Sequence, residues 1–159
     1  MDFFEVIKNR HCVRSFDPNE KVSDEDIAKI VDAGRRAPSA GGIYPVEFAV
    51  ITDKKTISEL TDSTTNVLRR MNFIEEAPIV IVIYADVERT ATRYQNRGRG
   101  LYVIQDAAAA AENIFLATVA LGLSTCWVGA FDEEHVRKTL NLKPDERPMV
   151  IMPIGYNKN

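Results

Sequence analysis

Cysteine and histidine are nearly missing from this chain of 159 residues, which holds only Cys12, Cys126, His11 and His135. The two cysteines show no CxxC or Cys/His spacing, so neither a disulfide framework nor a metal site is expected. Two histidines so far apart give little support to a Ser/His/Asp or Cys/His catalytic set, although His11 adjoins Cys12. No GxGxxG follows a strand-like run, and no GxxxxGK[ST] or GxSxG occurs, which removes the usual dinucleotide, P-loop and hydrolase signatures. A charge excess is missing too: 20 Lys and Arg against 23 Asp and Glu leave a net charge of −3. Bulk attraction to nucleic acid or to an anionic membrane is therefore not predicted. No apolar run reaches the length of a bilayer span, and the start MDFFEVIKNR lacks a signal-peptide core. Cytoplasmic residence is the default expectation. An enzyme so short of acid, base and nucleophile sets would lean on a bound cofactor.

What is present has the balance of a globular protein, 45% hydrophobic and 27% charged. One domain, 1–159, is the simplest division. Asp2 can cap a short helix ending near Asn9. Ser23 with Asp26 marks a second helix reaching Arg36, with Ile27, Ile30, Val31 and Gly34 as its buried stripe. Strand Phe48–Thr52 follows. Asp53 caps a helix from Lys54 to about Leu60, and Thr61–Asn66 reads as a polar loop. Ile79–Tyr84, rich in β-branched residues without polar alternation, predicts a central strand covered on both faces. The basic stretch Arg89–Gly100 reads as a solvated loop, although its arginines could attract a phosphate-bearing substrate such as NADPH.

Leu101–Leu121, with five alanines at Ala107–Ala111, predicts the longest helix, and Gly122 stops it. So little of that helix is polar that a partner subunit is expected to cover part of it. Ser124–Phe131 reads as extended, Asp132 caps a helix through Leu140, Lys143–Pro148 reads as a turn and Met149–Ile154 as the last strand. The pattern predicts an α/β (α+β) fold whose mixed central sheet carries helices on both faces.

Two stretches stand out. In Ala37–Phe48 two prolines bracket Gly41 and Gly42, so the chain leaves a helix, crosses a permissive turn and enters a strand. The small residues leave backbone uncovered, which suits a flat ligand and suits an ordinary loop equally. Arg10 and Arg14, four apart, share a face in a helix or a strand. They can converge on one phosphate or pair with surface carboxylates.

Together the segments resemble the FMN-dependent nitroreductase family over nearly the whole chain. Arg10-His11-Cys12-Val13-Arg14-Ser15-Phe16 is similar to the family's opening R-x-S-x-[RK]-x-[FY], with Cys12 in place of serine. Ala37–Gly41 matches A-P-S-A-G, and Gly42-Ile43-Tyr44-Pro45 resembles the variant seen in the azoline-dehydrogenase branch. Cys126–Asp132 resembles C-W-[IV]-G-G-F-[DN], and Arg147-Pro148 leading to Gly155-Tyr156 resembles the last core strand. The resemblance implies a three-layer sandwich and an intertwined homodimer with FMN at the interface. NAD(P)H would be the co-substrate, and a nitroaromatic, quinone or similar electron-poor small molecule the acceptor, in ping-pong order.

By the same resemblance Arg10, His11, Cys12, Arg14 and Lys158 serve the flavin phosphate and ribityl region. Pro38, Ser39, Ala40, Gly41 and Gly42 lie along the flavin from the other subunit, and Trp127, Val128, Gly129 and Ala130 border the ring. No side chain is assigned as a certain catalytic group, and Tyr44 and Phe131 are candidates for packing over the substrate. Two alternatives stay open: an FMN-dependent dehydrogenase of the azoline-oxidising type, and a flavin-binding or redox-sensing protein without turnover.

Overall fold

The computed structural model describes residues 1–158. Four strands, β1 (Val46–Ile51), β2 (Ile79–Asp86), β3 (Ser124–Thr125) and β4 (Glu146–Gly155), form one sheet in the order β1-β2-β4-β3. Every pairing between these strands is antiparallel, where a mixed sheet is expected from the sequence. β2 is central, as its continuous apolar run predicts, and Ile79 to Ile83 are all buried. β4 begins at Glu146, so the expected turn at Lys143–Pro148 is half strand.

Alternation along β2 divides the core in two. Ile79, Ile81 and Ile83 face α2 (Asp24–Arg35) and α6 (Val103–Ala120), packing with Ile30, Ile114 and Phe115. Val80 and Val82 face the other way, toward α3 (Lys54–Asp62), α4 (Phe73–Glu76) and α7 (Glu133–Thr139), packing with Leu60, Ile74 and Val136. The result is a three-layer sandwich. The helix starts follow the sequence closely: Asp2, Ser23, Asp53 and Asp132 each accept backbone N–H groups at an N-terminus, as short acceptor side chains do. Thr61 and Asp62 extend α3 into the expected loop. There the buried hydroxyls of Thr61, Ser63 and Thr64 bond to the carbonyls of Ile57, Leu60 and Thr61.

The largest difference lies at residues 87–102. The basic stretch is not a loop but α5 (Val87–Arg97), started by Asp86, followed by a π turn at Gly98–Tyr102 that runs on into α6. Hydrophobic pattern could not find α5, because its residues are held by ion pairs and loop carbonyls more than by core. By length and apolarity the continuous run Val87–Ala120 meets the requirement for crossing a bilayer, against the expectation that nothing in the chain does. Its Ala107, Ala111, Ile114 and Phe115 are core residues against the sheet. Ala107, Ala110 and Ala111 are buried within the chain itself, whereas Ala108 is exposed and Ala109 half-buried. α1 (Phe3–Asn9) packs beside α6 but buries only Val6. Phe3, Phe4 and Ile7 stay 62, 78 and 45% exposed.

Candidate functional site

The residues singled out by sequence fall into two regions. The first is the turn after α2. Ala40–Gly42 makes one 3-10 turn, with Gly41 and Gly42 at φ +63° and +66°, the left-handed region that glycine tolerates. The turn is anchored to α6 by Asp106, which is 6% exposed. Its carboxylate accepts the Ser39 hydroxyl at 2.7 Å and the Ala40 N–H at 3.0 Å. Ser39 Oγ in turn accepts the Tyr44 N–H at 2.9 Å.

From the other side α5 holds the same turn. Arg93 donates to the Gly41 carbonyl at 3.2 Å and Arg89 to the Tyr44 carbonyl at 2.9 Å. The turn borders a cavity of about 240 Å³ lined by Gly34, Pro38, Ser39, Tyr44, Phe48 and Asp106. Tyr44 itself is 57% exposed at φ +52°.

The second region is an edge built by residues 10–17, the loop after β3 and the end of β4. Residues 10–17 are sewn to the sheet by alternating main-chain bonds: Val13 N–H to Thr125, Asp17 N–H to Tyr156, and Lys158 N–H to Ser15. The buried side chains Val13 and Phe16 pack with Ala77, and Glu76 accepts the Phe16 N–H at 3.1 Å. Arg10 lies 4.9 Å from the Phe115 ring centroid and 3.5 Å from Glu112. Arg14 is exposed and has no carboxylate partner among the described residues. His11 is exposed, with Nδ1 2.7 Å from the Asn9 carbonyl oxygen.

Trp127 is 37% exposed, unusual for so large an apolar ring, and Gly129 is exposed beside it. The N–H of Val128 is taken by Ile151 at 3.0 Å. Those of Gly129 and Ala130 have no protein partner among the described residues. Phe131 is only 7% exposed and belongs, with Val128, to the core that Val80 and Val82 line. It therefore does not present a surface to a substrate. Cys126 is 2% exposed, and burial, reinforced by the adjoining Cys12 thiol, pushes its thiol up to about 12.

Within one chain the two regions touch different parts of α6, Asp106 near its start and Glu112 with Phe115 further along. The turn makes no hydrogen bond to Arg10, Arg14 or Trp127–Ala130. Sequence reasoning found the residues of both regions but missed what braces the turn. Asp106 was the available signal, the single charge between Leu101 and Ala111. A lone carboxylate in an apolar helix needs a partner. Of the arginines at 89–99, Arg99 is paired with Glu88 at 2.7 Å and Arg89 lies near Asp86 and Glu47. They brace α5 and the turn more than they form an open basic patch.

Comparison with known proteins adds a consistent picture. The Nitroreductase family profile matches residues 7–156. A protein of Archaeoglobus fulgidus, provisionally named an NADH dehydrogenase/NAD(P)H nitroreductase, is 29% identical over 158 residues, covering 97% of this chain and 84% of that one. A provisionally named nitroreductase of Methanocaldococcus jannaschii is 34% identical over 142 residues, 76% of this chain and 70% of the relative. Among solved structures, a nitroreductase family protein of Clostridium novyi NT superposes with a TM-score of 0.90 at 27% identity, covering 100% of this chain and 87% of that one. An FMN-dependent nitroreductase of Clostridium difficile R20291 does so with 0.84 at 28%, covering 98 and 88%.

Proposed function

This chain belongs to the nitroreductase family, and on that premise we propose that it is an FMN-dependent oxidoreductase that passes hydride equivalents from NAD(P)H to an electron-poor acceptor, a nitroaromatic or a quinone. Bound FMN supplies the two-electron chemistry that these side chains lack. The observation that carries the reading is the unfinished edge. Among the described residues Arg14 has no carboxylate partner and Gly129 and Ala130 offer unclaimed N–H donors, while Trp127 leaves an apolar ring exposed. A cation, a flat apolar surface and backbone donors together fit a phosphate joined to a planar ring with a polar rim.

In this reading Arg10 and Arg14, with His11, Cys12 and Lys158 beside them, hold the phosphate and ribityl end. Trp127, Gly129 and Ala130 border the ring. None of the residues Trp127 to Ala130 carries a side chain that titrates, so protons for the acceptor come from water. Pro38, Ser39, Ala40, Gly41 and Gly42 come from a second copy of the chain and close the site, with Tyr44 over the substrate. The exposed Phe3, Phe4 and Ile7 of α1, beside α6, supply apolar surface for such a dimer.

The test is direct. Purified protein should quench the fluorescence of added FMN, and NADH or NADPH should bleach the bound flavin under anaerobic conditions. A nitroaromatic or quinone should then restore the oxidised spectrum in a second, separable half-reaction. Protein that binds FMN but is reduced by neither nicotinamide would sink the assignment, and sedimentation as a monomer with FMN bound would sink the shared site.

A further inference from the structure

The thiols of Cys12 and Cys126 have no part in hydride transfer, yet the fold sets them side by side. Val13 N–H donates to the Thr125 carbonyl at 3.0 Å, which brings the residues next to each, Cys12 and Cys126, together. Both side chains pack against the core that Val80 and Val82 line, and the Cys12 thiol stands near enough to Cys126 to be among the groups that raise it. A disulfide needs Cα atoms roughly 4.4–6.8 Å apart, a spacing that residues adjoining a main-chain bond between neighbouring segments can meet. Both are free thiols, Cys12 partly exposed and Cys126 buried.

We propose that Cys12 and Cys126 form a peroxide-responsive dithiol–disulfide site. The Cys12 sulfur attacks one oxygen of hydrogen peroxide and the O–O bond breaks, giving a Cys12 sulfenic acid and one water. The Cys126 sulfur then attacks that sulfur, the S–O bond breaks, and the hydroxyl leaves with the Cys126 proton as a second water. Two thiols lose two electrons and two protons, and one peroxide becomes two waters. The order follows from exposure: buried and protonated at neutral pH, Cys126 reacts only once its neighbour has been oxidised.

The bond draws the sulfurs to about 2.05 Å and fixes the Arg10–Arg14 segment to the strand leading into Trp127. That consequence rests on the flavin site proposed above; the disulfide itself does not. Closing the pair shifts the two arginines against the ring-bordering loop, and FMN should bind at least fivefold more weakly.

Full-length protein treated with graded hydrogen peroxide, alkylated and digested should yield a Cys12–Cys126 linked peptide. Both thiols should be lost together and recovered with dithiothreitol. Cys126→Ser should stop at a Cys12 sulfenic acid trapped by dimedone, and Cys12→Ser should leave Cys126 unmodified. Over-oxidation of Cys12 without the link, or a Cys12–Cys12 link between two copies, overturns the site. FMN titrations of the oxidised and reduced protein read the consequence separately. Equal affinities overturn the effect on the flavin, while failure of both forms to bind FMN overturns the flavin reading and leaves the linked peptide to decide the disulfide.

Discussion

The Ser39–Gly42 turn and the edge formed by Arg10–Arg14 with Trp127–Ala130 are both glycine-bearing loops, yet they are finished differently. In the turn the polar groups are claimed inside the chain: Asp106 holds Ser39 and Ala40, Ser39 holds Tyr44, and Arg93 caps the Gly41 carbonyl. At the edge the backbone is sewn to the sheet, but Arg14 and the Gly129 and Ala130 N–H groups are not claimed among the described residues. The difference teaches where rigidity resides. A wall that its own fold completes costs a ligand little ordering on binding, whereas open donors contribute only once a ligand arrives. Substitutions in the turn should therefore register first in stability, and substitutions at the edge first in ligand affinity.

The largest effect is expected at Asp106. Asp106→Ala removes the acceptor of a half-buried hydroxyl and a backbone N–H and takes from both their protein partner, which should cost about 3 kcal/mol. For a chain of this size that lowers the melting temperature by roughly 6–12 °C. Asp106→Asn keeps one carbonyl oxygen and should lose about half as much. Thermal unfolding of the two variants checks this. A wild-type melting curve for Asp106→Ala would break the contrast at its stronger end.

Gly41→Ala comes next. An added Cβ would lie 2.5 Å from the Tyr94 hydroxyl and 2.9 Å from Arg93, at φ +63°. The left-handed backbone alone costs about 1 kcal/mol for alanine. Displacing the two side chains that brace the turn brings the expected loss to about 2 kcal/mol, measurable by denaturant titration. Tyr94→Ala in the same background should recover part of it, because it clears the nearer obstruction.

How far the sequence reaches can be seen on these same residues. Helix starts were legible because Asp2, Ser23, Asp53 and Asp132 carry their signal locally, in one side chain and the N–H groups beside it. β2 was legible because a strand buried on both faces has no polar alternation. The two candidate regions stood out through the Arg10–Arg14 spacing and the Gly41-Gly42 turn, and likeness to a family gave them a proposed ligand. What stayed hidden is non-local. Asp106 and Ser39 are 67 positions apart, and nothing near either one announces the bond. α5 was read as a loop because its arginines look solvated until Tyr44, Gly41, Glu88 and Asp86 are seen around them. Phe131 looks like a residue at the substrate until it is seen packed in the core that Val80 and Val82 line.

Arg14→Ala should show the opposite balance from the turn variants. With no carboxylate partner among the described residues to strand, its loss should leave the melting curve of the flavin-free protein within about 0.5 kcal/mol of wild type. FMN affinity should fall tenfold or more, the loss of one charge-assisted contact to phosphate. Arg14→Lys should restore part of that affinity but not the two-pronged geometry. Fluorescence titration with FMN, and with riboflavin as the phosphate-free control, separates the cases. Arg14→Ala should leave riboflavin binding unchanged, and an equal loss for both ligands would place the arginine somewhere other than the phosphate.

Gly129→Ala is the smallest and the sharpest comparison, because it repeats the Gly41 substitution in the other region. Here the nearest atom to an added Cβ is Trp127 Nε1 at 3.7 Å, an ordinary van der Waals contact. The backbone is not in the left-handed region at this position, since Gly41, Gly42 and Gly122 are the glycines with positive φ among the described residues. Stability should therefore stay within about 0.5 kcal/mol of wild type, as for an unconstrained surface site. The added methyl projects where the ring is proposed to lie, so FMN should bind several-fold more weakly while the flavin-free protein melts unchanged. If Gly129→Ala instead melts as low as Gly41→Ala, the edge is as fully packed as the turn, and its open donors have some other explanation than a missing ligand.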